Sequence, residues 1–335
     1  MASILLFASI FLTLLFTFTN GMKDGCNVAA TTIASRSLSR RSSLLIVCVS
    51  EFSGPFLFGI PVALTIAKGI LHTELLSQGV QSLMMLFCGI LGALVWNILT
   101  WVFRMPTSSS FALVGGLIGP ALYNFGSDAV PWKLFLLKVV GALFLSPLLG
   151  IAFGFLVFRV MALLLRDAHF NINGVIKKIQ LVSLAILGLS HGSNDAQKTM
   201  GTIALLLYFS GKTEGIVVDP WVKLASIGAL TAGIALGGTK IIKTVGYDIF
   251  RLRPIHSLAS HIASAIILLV SNVVGTPVST TQIISSSVMG VGSAFRRKSI
   301  RWSLIFTILW SWILTIPLTA SIAILFTIIM GKFLI

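Results

Sequence analysis

The sequence predicts an all-α polytopic membrane protein: two inverted-topology repeats of about five membrane segments each, with broken or re-entrant helices meeting at the midplane. Three observations carry this. First, 56% of the 335 residues are hydrophobic and only 10% are charged, against about 25% charged in an ordinary soluble chain. A water-soluble protein of this length could not hide that much apolar surface, so lipid is its solvent. Second, apolar runs long enough to cross a bilayer recur along the whole chain. Third, two unrelated polar motifs each occur twice at one sequence offset. The composition excludes a water-soluble enzyme, a disordered chain and a nucleic-acid-binding domain. The net charge of +15 would suggest nucleic acid in a polar chain, but here the basic residues sit in short clusters between apolar runs and read as topology signals. Cys26, Cys48 and Cys88 have no metal-ligand spacing and fall in or beside apolar runs, so packing roles are expected for all three.

Residues 3–19 are apolar, but Met1-Ala2-Ser3 offers no positive leader and no small-residue cleavage site follows, so a membrane helix is expected rather than a signal peptide. Crossings are expected near 3–20, 43–67, 81–103, 107–126 and 134–165, then near 179–209, 221–239, 255–274, 277–293 and 302–331. Segments 107–126 and 277–293 are short and rich in Ser, Thr and Gly, as broken or re-entrant helices are. The run 134–165 is long and holds Lys138 and Arg159, so its ends must tilt or reach the interface.

The basic residues orient this layout. With the N-terminus outside, the odd-numbered connections carry Arg36, Arg40, Arg41, Arg104, Arg166, Lys177, Lys178, Lys240, Lys243, Arg251, Arg253, Arg296, Arg297, Lys298 and Arg301, which is 15 of the 24 basic residues. The other connections and the C-terminus carry Lys68, Lys133, Lys212, Lys223 and Lys332. The asymmetry puts the first set in the cytoplasm and both termini outside, across the inner (cytoplasmic) membrane.

Gly21-Met22-Lys23-Asp24 aligns with Gly192-Ser193-Asn194-Asp195 at an offset of 171. Pro106-Thr107-Ser108-Ser109-Ser110 aligns with Pro277-Val278-Ser279-Thr280-Thr281 at the same offset, and Gly119 then falls on Gly290. The repeats are therefore 1–170 and 171–335, together one transport domain. Each holds five segments, an odd number, so the second enters the membrane from the opposite side. That is the inverted-repeat plan of secondary transporters, with substrate held near the midplane between the halves.

Most of the nine acids fall in expected loops. Asp24, Glu51 and Asp195 lie in or against apolar segments, where an ionised carboxylate is costly. A helix-end acid reaching water is the plain alternative, but repeat symmetry duplicates Asp24 and Asp195. Thr107, Ser108, Ser109 and Ser110, and Ser279, Thr280 and Thr281, each follow a proline and precede an apolar run, so each cluster opens a helix inside the membrane. Hydroxyls and free backbone N–H groups at such a start suit an anion; ordinary helix capping is the alternative. Asn27 and Lys198 also match at 171 and lie one turn beyond the acids. Two carboxylates beside an anion would repel it, so a cation must lie between them: bound Na⁺, a proton, or a lysine. This points to cation-coupled anion transport.

His191-Gly192-Ser193-Asn194-Asp195-Ala196-Gln197-Lys198-Thr199-Met200-Gly201 resembles the second signature of the inorganic phosphate transporter (Pit) family in its bacterial, low-affinity form. Asn20-Gly21-Met22-Lys23-Asp24-Gly25-Cys26-Asn27 resembles the first, and both hydroxyl motifs, the segment 237–244 and the segment 312–317 are similar to family segments. The resemblance spans nearly the whole chain. It implies symport of inorganic phosphate with Na⁺ or H⁺ by alternating access, with sulfate or a related oxyanion as the alternative cargo. It implies that Thr107, Ser108, Ser109, Ser110, Ser279, Thr280, Thr281 and Asn194 bind phosphate, and that Asp24, Asn27, Asp195, Lys198 and Glu51 form the coupling-cation site, with Na⁺ at Asp24 and Asp195. No other cofactor is implied; the partners it allows are membrane lipid, a second copy of the chain and a PhoU-like accessory protein, and not nucleic acid. The chain departs from the family pattern at Lys23, where His or Asn is common, at Phe111 and Gln282, where His often follows the hydroxyls, and at His261, where glutamate is usual. Lys23 has two readings: a helix-end charge reaching the interface, or a member of the site.

An intramembrane enzyme is not expected: no metal-ligand cluster or Ser/His/Asp triad is present, and His191 has no repeat partner. A primary pump would need a nucleotide-binding loop, which the sequence lacks. A channel is the remaining class, and matched broken helices favour alternating access over it.

Overall fold

The computed structural model describes residues 2–76, 78–103, 105, 107–167, 172–237, 249–296, 298 and 301–332. Arg104, Pro106, Gly238, Lys240, Lys243, Asp248 and Arg297 lie outside the described residues. Among those described, every regular element is helical. α1 (Ala2–Asn20) runs through a π turn at Gly21–Gly25 into α2 (Cys26–Ala34). α3 (Arg40–Leu57) starts where Ser39 Oγ accepts from Ser42 N at 3.1 Å, and breaks from α4 (Pro61–Gly69) by a 75° bend at Gly59, whose φ is +67°. α5 (Val80–Val102) and α6 (Ser109–Phe125) follow. α7 (Trp132–Leu134) passes through a π turn into α8 (Gly141–Leu164). The second half contains α9 (Ile172–Phe209), α10 (Pro220–Leu236), α11 (Pro254–Val274), α12 (Thr280–Arg296) and α13 (Trp302–Gly331).

The offset of 171 carries α6 onto α12 residue for residue, and puts α5 on α11 and the α1–α2 span on α9 within four positions at each end. Among the described residues, six helical stretches are long and apolar enough to cross a bilayer, or seven with the bent α3–α4 pair. Large apolar side chains of α8 and α13, such as Leu148, Leu156, Trp310 and Ile313, point outward, as lipid-facing surfaces do, while the polar residues are inside.

α5 with α6, and α11 with α12, pair as two helical hairpins whose second arms are the short segments expected to be broken or re-entrant; the start of each second arm, at Thr107 to Ser110 and at Val278 to Thr281, is buried in the protein interior. His72 N donates to Ala129 O at 2.8 Å, which brings the entry of α5 beside the exit of α6. The His256 and Phe295 rings lie with centroids 4.5 Å apart, tilted by 52°, which brings the start of α11 beside the end of α12. The two hairpins enter from opposite faces, as an inverted repeat requires, and an even number of passages leaves the sidedness of everything else unchanged. Bonds between Thr31 and His261 (2.7 Å) and from Ser257 to Thr31 (3.0 Å) put the α11 start on the face of Arg36, Arg40 and Arg41. Gly79 N donates to Phe209 O at 2.9 Å, joining the α5 entry and Lys212 on the opposite face.

The crossing of α3 over α9 fixes the centre. At Gly192 an added Cβ would lie 2.5 Å from Glu51 Cα, and at Gly54 it would run into the Leu189 carbonyl oxygen. Small residues here let two helices touch backbone to backbone, the usual way membrane helices gain packing without hydrophobic drive. A Gly54→Ala protein should lose about 1–3 kcal/mol in a detergent unfolding assay, whereas Gly174→Ala, with nothing within 4 Å of the new methyl, should lose none. Cysteines placed at Arg41 and Lys212 should react with an impermeant thiol reagent from opposite faces of the membrane, Arg41→Cys from the cytoplasm; reaction of both from one side would overturn the topology.

Candidate functional site

The two hairpin tips meet beside Asp24 and Asp195. Each tip helix is capped by its own serine: Ser108 Oγ accepts from Phe111 N at 3.2 Å, and Ser279 Oγ accepts from Gln282 N at 3.3 Å. The caps are 171 residues apart, and they turn the following hydroxyls toward the acids. Ser109 Oγ donates to Asp24 Oδ2 at 2.6 Å and Thr281 Oγ1 to Asp24 Oδ1 at 2.6 Å. Thr280 Oγ1 reaches both Asp195 oxygens at 3.4 Å. Consecutive residues of one helix thus address the acids of both halves.

The remaining bonds repeat the symmetry. Lys198 Nζ donates to Asp195 Oδ1 (2.6 Å), Ser110 Oγ (2.7 Å) and Val278 O (2.9 Å). Its counterpart Asn27 donates through Nδ2 to Thr281 Oγ1 at 3.4 Å. Asn20 Nδ2 donates to Asp195 Oδ2 at 3.1 Å, and His191 Nε2 lies 3.6 Å from the same oxygen. The expectation that His191 lacks a repeat partner is corrected here: the offset pairs it with Asn20, and both contact Asp195. Asp24 sits in the π turn Gly21–Gly25, a helix irregularity common at functional sites, while α9 passes Asp195 unbroken.

The structure sorts the residues singled out from sequence. Asp24, Asn27, Asp195, Lys198, Ser109, Ser110, Thr280 and Thr281 form one buried network. Ser108 and Ser279 serve as caps. Thr107 accepts from Lys23 Nζ at 2.8 Å. Asn194 Nδ2 donates to Asn272 Oδ1 at 2.9 Å, and Asn272 Nδ2 in turn to Ser190 O at 2.8 Å. Glu51 is fully buried with Oε1 3.0 Å from His191 Nδ1, close but outside hydrogen-bond geometry. Lys23 does not reach the interface. It is fully buried, and its ammonium also bonds Asn97 Oδ1 (3.0 Å) and Thr100 Oγ1 (3.4 Å). Phe111 packs against Phe144, Gln282 accepts from Ser146 at 3.4 Å, and His261 bridges Thr31 and Ser183.

Asn97, Thr100, Asn20, Asn272 and Gln197 escaped sequence reasoning. Gln197 Oε1 accepts from Val62 N at 2.8 Å and so caps the start of α4 after the α3–α4 break. The Gly21 alignment extended one residue back would have found Asn20, and Gln197 lies within the 191–201 motif; Asn97, Thr100 and Asn272 have no local signal.

Three buried carboxylates, Asp24, Glu51 and Asp195, face two buried lysines, Lys23 and Lys198. His191 lies between two of these acids, 3.0 Å from Glu51 and 3.6 Å from Asp195. Hydroxyl groups from two capped helix starts converge on this spot.

An inverted-repeat membrane transporter is the class that this fold and site define. The chain belongs to the phosphate transporter family: the family model for the PHO4 phosphate transporters matches twice, over residues 20–174 and 166–323. It is 34% identical over 311 residues to a "probable low-affinity inorganic phosphate transporter" of Bacillus subtilis (strain 168), covering 92% of each chain. It is 36% identical over 321 residues to one of the same description from Rhizobium meliloti (strain 1021), covering 95% of this chain and 94% of that one. A solved structure titled "The sodium-dependent phosphate transporter" superposes with a TM-score of 0.88 at 21% identity, over 98% of this chain and 99% of that chain, a likeness of fold. The relatives are named as transporters, not enzymes.

Removing one member of a buried ion pair leaves the other charge uncompensated, at a cost of about 3–5 kcal/mol. Lys198→Met should destabilise the protein by that order in detergent, and adding Asp195→Asn should recover most of the loss.

Proposed function

We propose that this protein is a cation-coupled symporter of inorganic phosphate in the cytoplasmic membrane, working by alternating access, with residues 1–170 and 171–335 as its two halves. The observation that carries the reading is the meeting of two capped hairpin tips, one from each half, whose hydroxyls address Asp24 and Asp195. Phosphate bound among Ser109, Ser110, Thr280 and Thr281 would draw on these hydroxyls and on Lys198, and its arrival would disturb both acids at once. Opening either tip toward its own face would expose the same site to one side at a time.

Two groups suit the coupling ion. Around Asp24, Ser109 and Thr281 offer oxygens, and Asn27 Oδ1 is buried with no partner among the described residues; an all-oxygen set fits Na⁺, a hard cation. Asp195 is less suited, because Lys198 and Asn20 already donate to it. The Glu51–His191 pair suits a proton. Uptake by reconstituted vesicles, with Na⁺ and pH gradients imposed separately, assigns the ion, and competition by sulfate tests the anion.

A hydrogen bond from a hydroxyl to a charged group is worth about 1.5–3 kcal/mol, so Ser109→Ala or Thr281→Ala should weaken phosphate binding roughly 10- to 150-fold. Asp24→Asn and Asp195→Asn should each abolish concentrative uptake while the protein still folds. Accumulation near the parent level in both would make the carboxylates structural.

A further inference from the structure

The two hairpins are not equivalent, and the difference defines a route. On the face of Arg36, Arg40 and Arg41, Thr31 of α2 bonds Ser257 and His261 of α11; Ser260 and Ser264 lie one turn along the same buried helix, and Ser285 lies one turn beyond Thr281 on α12, all of them buried. The hydroxyls of Ser260, Ser264 and Ser285 have no partner among the described residues, nor does either polar atom of the buried Gln180, on the adjoining α9. Buried polar groups are ordinarily paired, and leaving them unpaired in a membrane interior is costly.

The repeat offset supplies an internal control. Subtracting 171 carries Ser257, Ser260, His261, Ser264 and Ser285 onto Leu86, Gly89, Ile90, Ala93 and Val114, all apolar. Thr31, on the long helix, falls on Thr202, which is also polar and buried, so the difference lies in the hairpin arms: the α5–α6 side of the corresponding path is apolar where the α11–α12 side is not. The α5–α6 side is also tighter: α5 and α6 touch at Gly89 and Gly116, where a Cβ on Gly89 would lie 2.5 Å from Gly116 O. In the second half Ser260 and Ser287 take these places, and the Ser287 hydroxyl is also unpartnered. Side chains at both positions keep α11 and α12 from closing as α5 and α6 do.

We propose that the anion passes between the site and the arginine-rich face along a seam formed by these polar residues, that the α11–α12 hairpin is the element that parts from α2 to open it, and that His261 is its latch. His261 spans the seam, bonding Thr31 Oγ1 of α2 at 2.7 Å and lying 3.3 Å from Ser183 Oγ of α9; Ser257 adds a second tie to Thr31 at 3.0 Å. Opening hydrates the hydroxyls that closure leaves unpaired, so the closed and open states lie close in free energy, as a gate requires. The proposal rests on the transport reading above for the cargo, but the seam itself can be tested without it.

The test is thiol accessibility in the full-length protein, reconstituted after Cys26, Cys48 and Cys88 are replaced by alanine. Single cysteines at Ser257, Ser264 and Ser285 should react with an impermeant cationic methanethiosulfonate from the face where Arg41→Cys reacts. His261→Ala should speed that reaction at least tenfold, while Ala93→Cys and Val114→Cys stay unchanged by it. Ser260→Gly with Ser287→Gly should act oppositely and slow labelling at Ser264→Cys at least tenfold, because the hairpin can then close as its counterpart does. Silence at all three seam cysteines while Arg41→Cys reacts, or rates indifferent to both His261 and the serine pair, would overturn the proposal. Phosphate uptake is followed in parallel in the same vesicles: seam labelling without phosphate uptake would uphold the route and sink the cargo assignment, and uptake without seam labelling would do the reverse.

Discussion

Everything in this fold answers to two carboxylates that must stay inside a bilayer. Asp24 and Asp195 are buried where an unpaired charge is expensive, and each is held by hydroxyls brought from a hairpin tip. Those hydroxyls are available only because the tips end in the interior, and the tips can end there only because Ser108 and Ser279 cap their helices in place of water. The long helices α1–α2 and α9 present the acids; the hairpins bring the donors; the glycine crossing at Gly54 and Gly192 holds the two halves close enough for both to reach one point. Loosening any of these leaves a charge without its ligands, so the polar centre and the helix packing stand or fall together.

The pairing is symmetric in position but not in chemistry. Lys198 stands where the first half has Asn27, Lys23 where the second has Asn194, and His191 where the first has Asn20. Each half therefore brings one buried lysine to the centre, but aimed differently: Lys198 bonds Asp195, and Lys23 bonds Asn97 and Thr107. Asp195 is neutralised by a covalently attached cation, whereas Asp24 is held by neutral donors alone among its hydrogen-bond partners. A duplicated scaffold has thus yielded one acid hydrogen-bonded to a lysine and one hydrogen-bonded only to hydroxyls; in the proposed mechanism the second is the one that meets the incoming ion. That division is a natural basis for coupling, since a site with both charges satisfied would gain nothing from a cation and one with neither satisfied would repel the anion.

Much of this was legible in the sequence, because a repeat writes long-range proximity into a single number. The offset of 171 was enough to bring Asp24 and Asp195 together, to match the hydroxyl clusters and to pair Asn27 with Lys198. The proline before each cluster marked the tips as helix starts. The division of labour within the clusters was not legible: Ser108 and Ser109 are adjacent identical residues, and only backbone geometry decides which one caps and which one reaches an acid. The hairpins could be anticipated as short, hydroxyl-rich segments, but their adjoining arms α5 and α11 are apolar enough to pass for ordinary crossings. Lys23 was ambiguous for a related reason. A lysine near a helix irregularity snorkels or is buried according to whether another helix brings it acceptors, and Asn97 lies 74 residues away with no repeat counterpart to announce it.

The same logic explains why the two faces differ. In a perfectly symmetric inverted repeat the route to one side would be the image of the route to the other, and nothing would favour one resting state. Replacing Gly89 and Gly116 by Ser260 and Ser287 exchanges backbone contact for hydroxyls that cannot all be paired when the hairpin is shut. Packing then favours closure of the first hairpin, where dry surfaces meet at van der Waals distance, while polar desolvation opposes closure of the second. Bistability needs such opposed terms of comparable size. In the proposed mechanism the apolar arms and the polar seam provide them on opposite sides of one site, and the carboxylate network between them is where a bound ion and a bound anion would both act.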